Sequence, residues 1–125
     1  MPAELPLALT DFIRARIPTF QAAKLLVLLA THPQREFTAE DIVVSMRHAI
    51  TVADVRKYLT AFVEGGALTE SGGQWRYIPF SRDLETTVSR LVAAYNERPV
   101  TLIREIYRIA DNRIESRADS QSSRS

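Results

Sequence analysis

The chain has 125 residues, 46% hydrophobic and 25% charged, enough to bury a core and ordinary for a globular domain. Its 16 basic and 15 acidic groups leave a net charge of +1, so no overall basic excess points to nucleic acid. Cysteine is absent, which excludes disulfides, thiolate metal sites and cysteine nucleophiles and fits a cytoplasmic protein.

No run of about 18 apolar residues is present, so no membrane-spanning helix is expected. The opening MPAELPLALTDF lacks a basic region followed by an apolar core, and a signal peptide is not expected. The cations are 14 Arg and 2 Lys, Lys24 and Lys57. Residues 1–33 hold 3 basic and 2 acidic groups, residues 34–80 hold 5 and 6, and residues 81–125 hold 8 and 7. Any basic face must therefore arise from segregation of charge in three dimensions.

In chain order, Leu5, Leu9, Phe12 and Ile13 recur at a period near 3.6 and predict an amphipathic helix that Pro18 ends. Thr19 opens a second helix through Thr31, apolar nearly all round and so expected at the centre of the core. Thr38, with Asp41 three residues on, caps a third helix with Ile42, Val43 and Met46 inward. Thr51 and Asp54 repeat the signal for a helix over 52–64, which Gly65-Gly66 stops. Residues 67–70 and 74–78 read as strands joined by Ser71-Gly72-Gly73, and Pro79 ends the second.

Ser81 caps a further helix to about Asn96, and Arg98-Pro99 breaks it. Pro99 then begins a last helix whose Val100, Ile103, Tyr107, Ala110 and Ile114 step by 3, 4, 3 and 4. Leu102, Ile106 and Ile109 widen that apolar face. The serine-rich stretch 117–125 is expected to be disordered. The fold class is mostly α with a small β-hairpin. Residues 1–18 form an N-terminal helix, 19–80 a central module and 81–116 C-terminal helices suited to dimerisation.

The helix over 52–64 would project Ala53, Asp54, Arg56, Lys57 and Thr60, with Thr51 at its tip. Arg and Lys donate to guanine edges or phosphates, and Thr reaches bases or backbone. Asp54 opposes phosphate unless it serves the cap, and a solvated face with an Asp54–Lys57 pair is the plain alternative. Arg76 in the hairpin, and Arg35 and Arg47 flanking the third helix, are further phosphate candidates. Trp75 is read as packed against the core or a partner. His32 and His48 sit in no metal-ligand spacing, no nucleotide-binding or hydrolase motif is present, and neither a cofactor nor an enzymatic role is expected.

The stretch TAEDIVVSM, then ITVADVRKYLTAFVEGGALTE, resembles the bacterial winged helix-turn-helix pattern, broadly of the MarR type. That pattern is a helix, a turn, a threonine-capped recognition helix and a glycine-led strand. It is shared by many winged-helix families and names no subfamily. The resemblance implies a winged helix-turn-helix with extra terminal helices, acting as a DNA-binding transcriptional regulator. Thr51, Arg56, Lys57, Thr60 and Arg76 would contact duplex DNA, supported by Arg47 and Arg35. Val100, Ile103, Ile106, Tyr107, Ala110 and Ile114 would form a homodimer interface. Near-neutral charge, Asp54 and a short uncharged hairpin loop favour the alternative, a protein-interaction module that binds no DNA.

Overall fold

The computed structural model describes the backbone of residues 5–122 and the side chains of residues 5–111. The described residues form six helices and one hairpin: α1 (Leu7–Arg16), α2 (Phe20–Thr31), α3 (Ala39–Ser45), α4 (Val52–Glu64), α5 (Arg82–Glu97) and α6 (Pro99–Ser122), with β1 (Leu68–Ser71) and β2 (Gln74–Tyr77) between α4 and α5 in the chain. None of these helices is long and apolar enough to cross a membrane.

α2 is the hub. Ala22, Ala23, Leu25, Leu26, Val27 and Leu29 are all buried, and the helix touches α4, α5, α6 and β2. A helix buried on so many sides needs its ends satisfied. Thr19 Oγ1 accepts from the Ala22 amide at 3.1 Å and donates to the Tyr58 hydroxyl at 3.0 Å, which also fastens α2 to α4. α1 closes one side through Leu9 and Ile13, packing on α5 and α6.

The hairpin is antiparallel, with Leu68 opposite Tyr77 and Ser71 opposite Gln74. Ser71 is thus a strand residue, and the turn is Gly72-Gly73 alone. Positive φ at both glycines, 59° and 80°, gives the two-residue hairpin turn whose twist matches the strands. A third extended segment adds to this sheet at a single point. Phe37 and Trp75 exchange both backbone hydrogen bonds, at 2.8 and 2.7 Å, so the residue before the Thr38 cap of α3 lies beside β2. Both side chains are buried, which settles Trp75 as a packing residue.

α4 ends in a Schellman motif. The Ala67 amide donates to the Phe62 carbonyl and the Gly66 amide to that of Val63, with Gly66 at φ 87°. α3 ends in the same motif without glycine. There the Arg47 amide donates to Val44 and the His48 amide to Val43, with φ 56° at Arg47 and 60° at His48. Left-handed backbone at a residue bearing a Cβ costs roughly 1–2 kcal/mol, so this turn carries strain that the α4 stop avoids.

One expectation changes at the C-terminus, where helix α6 runs to Ser122. Ile106 is 1% exposed and belongs to the core with Leu102 and Ile109, so it does not face a partner chain.

Gly66 is fixed twice over, since a Cβ there would stand 2.5 Å from Phe80 Cδ1 and the backbone is left-handed. Gly66→Ala should therefore destabilise by about 1–3 kcal/mol in urea unfolding. Gly72→Ala, with open space around its Cβ, should cost less, and adding Phe80→Ala should recover part of the Gly66→Ala loss. Equal costs at the two glycines would contradict the packing argument.

Candidate nucleic-acid interface

The outward face of α4 is assembled from its caps and its buried stripe. Thr51 Oγ1 accepts from the Asp54 amide at 3.1 Å, fixing the start of the helix. Val55, Leu59 and Phe62 are buried, and with the helical period they turn Ala53, Asp54, Arg56, Lys57 and Thr60 outward, all exposed. Thr51 therefore acts first as the cap, although its side chain stays exposed.

α3, which packs on α4, begins with a capping box. Asp41 donates its amide to Thr38 Oγ1 at 3.0 Å and accepts from the Thr38 amide at Oδ2 at 3.1 Å. Hydrogen bonding of the carboxylate by the Thr38 backbone amide first and the Thr38 hydroxyl second lowers the Asp41 pKa from 3.8, with the Arg35 charge adding a smaller push.

The predicted cations fall into three places. Arg56 lies 3.7 Å from Glu40 Oε2 on the first turn of α3, so among the described residues the ion pair of α4 is Arg56–Glu40 and not Asp54–Lys57. Both partners are exposed, and such pairs are worth about 0–1 kcal/mol, too little to hold Arg56 against a phosphate. Lys57 and Thr60 stand beside it on the helix.

Arg76 and Arg35 each engage the α2–α3 connection. Arg76 donates from Nε to the Pro33 carbonyl at 3.0 Å and from Nη2 to Gln34 Oε1 at 3.4 Å. The guanidinium of this phosphate candidate thus ties β2 to the connection through two exposed hydrogen bonds. Arg35 lies over the Phe37 ring, its Cζ 4.4 Å from the centroid, an arrangement that orients the guanidinium without neutralising it.

Arg47 stands apart, in the strained turn after α3. It lines a groove of about 360 Å³ between α2, that turn and the end of α5, together with Lys24. Lys24 was not among the sequence candidates, although a single cation on a helix otherwise apolar nearly all round was a legible signal. Among the described residues no group of three or more His, Cys, Asp or Glu could hold a metal ion.

The α6 candidates divide as well. Val100 and Tyr107 are 64% and 60% exposed, and Ile103 and Ala110 are partly exposed. Ile114 lies outside the residues whose side chains are described. At about 3.6 residues per turn this stripe is roughly a third of a turn from the core-facing Leu102, Ile106 and Ile109. Comparison with family models, curated proteins and solved structures finds no match for this chain.

The Thr38–Asp41 box makes a pH prediction. A carboxyl whose folded pKa is lowered contributes stability that is present above its unfolded value and lost as pH falls through the folded one. Stability conferred by Asp41 should thus fade below about pH 4, given an ordinary Asp value near 3.9. Asp41→Asn should flatten that acid limb, and Thr38→Ala should cost about 1 kcal/mol at neutral pH. An unchanged acid limb in Asp41→Asn would show that other carboxylates govern it.

Proposed function

We propose that this chain is a winged helix-turn-helix protein that reads duplex DNA with α4 and regulates transcription as a homodimer. The order α2, extended Phe37, α3, α4, β1, β2, with Phe37 paired to Trp75 beside the hairpin, supports the winged-helix reading. The observation that carries the DNA assignment is the outward face of α4. It is exposed, capped at its leading end, and bears Arg56, Lys57 and Thr60 as donors to bases and phosphates. Asp54 gives its amide to the cap and leaves a carboxylate that accepts from a cytosine amino group and repels phosphate.

A second reading, a protein-interaction module that binds no DNA, draws on the same surface. Glu40 already faces Arg56, Arg76 is spent within the fold, and Val44 on α3 is 63% exposed. A protein partner would use such mixed apolar and charged surface directly.

Duplex affinity separates the two. Fluorescence anisotropy with random duplex at low salt should show binding that falls steeply as salt rises, because phosphate contacts release counterions. Arg56→Ala with Lys57→Ala should weaken it at least tenfold and reduce the salt slope by about 2, roughly one per lost phosphate contact, with an unchanged circular dichroism spectrum. A wild-type protein that shows no duplex binding at low salt supports the interaction module instead.

The dimer rests on the second apolar stripe of α6, with Val100, Ile103, Tyr107 and Ala110 stepping by 3, 4 and 3. Apolar side chains at that spacing form the seam by which two helices pack, and a two-fold pair suits paired half-sites. Sedimentation equilibrium should give twice the 14.1 kDa chain mass, and Tyr107→Glu should return the monomer. A wild-type monomer at micromolar concentration would remove the dimer from the proposal.

A further inference from the structure

We infer that the groove between α2, the α3–α4 turn and the end of α5 binds a small aliphatic carboxylate, clasped by Lys24 and Arg47. The groove's volume, about 360 Å³, lies at the small end of the range for ligand pockets, which begins near 300 Å³. Its walls have a pronounced charge asymmetry. Two permanent cations line it and none of its lining residues is acidic, in a chain whose acidic and basic groups nearly balance.

Its apolar wall is aliphatic: Val27 and Leu28 from α2, and Met46 from the end of α3. Thr31, Tyr95 and Asn96 add neutral donors. A carboxylate with a short hydrocarbon tail matches both halves. The guanidinium and the ammonium neutralise its head, and the aliphatic wall takes its tail out of water.

The turn adds an independent argument. Arg47 occupies the left-handed position of a Schellman motif, which at the end of α4 is filled by Gly66. Arginine there works against the backbone, as His48 beside it does, so the turn itself gives no reason for either residue; the groove gives one for Arg47. Strain of this kind points to a role for the side chain. This site lies apart from Arg56 and Lys57, and it stands or falls without the DNA assignment.

The test uses the full chain and hexanoate as probe, with hexanamide and inorganic phosphate as controls, by isothermal titration at low ionic strength. Hexanoate should bind at least tenfold more tightly than either control. Lys24→Gln and Arg47→Gly should each weaken it at least tenfold. Arg47→Gly should at the same time raise the melting temperature of the free protein by relieving the turn, so its lost binding is not lost folding. Absence of hexanoate binding at millimolar concentration, phosphate binding as tight as hexanoate, or undiminished binding in the two variants would each overturn the assignment. No nucleic acid enters the experiment, so its failure leaves the DNA reading intact.

Discussion

Burial of α2 is the constraint on which the rest of the molecule depends. Leu25, Leu26 and Leu29 have no exposed surface, and the helix has neighbours in α4, α5, α6 and the hairpin. Such a helix cannot form its contacts until the elements around it are assembled. The module over residues 19–80 and the C-terminal helices therefore share one core and do not form separate folding units. Leu91, Leu102 and Ile106 from the C-terminal helices are in the same buried cluster as Phe62 and Phe37. This argues for cooperative folding, with the terminal helices acting as structural walls as well as carrying an outer stripe.

Against that core, α3 and α4 are positioned by short-range devices. Thr38 and Thr51 fix where each helix begins, and the paired Schellman motifs fix where each ends. The geometry of the outward face of α4 is thus set by local hydrogen bonds, while its tilt is set by Val55, Leu59 and Phe62. A side chain on that face can change without disturbing either, which makes it suited to carrying specificity.

Local signals were legible in the sequence for the same reason. The bounds of α4 were readable because a threonine cap and a glycine stop bracket it, and the hairpin because paired glycines demand a turn. Fates that depend on distant partners were not readable. Arg76 finds its acceptors 43 and 42 residues away, Arg56 finds Glu40 on another helix, and Phe37 finds Trp75 across the fold. Ile106 fits the outer stripe by composition, and only the packing of α6 shows that it turns inward. The left-handed turn at Arg47 was hidden because no glycine marks it.

The hairpin has one further consequence, in terms of reach. Its strands are four residues long, about 13 Å at roughly 3.3 Å per residue, and the turn adds only two glycines. Trp75 and Tyr77 bury their side chains against the body, and Arg76 anchors the strand between them. Little of the hairpin is therefore left to extend beyond the domain, and its tip, Ser71 to Gln74, carries no charge. On the DNA-reading proposal, one copy would touch a short footprint, essentially that of α4. Length of the recognised site would then come from the spacing between two copies, making the stiffness of α6 a determinant of which sites are distinguished.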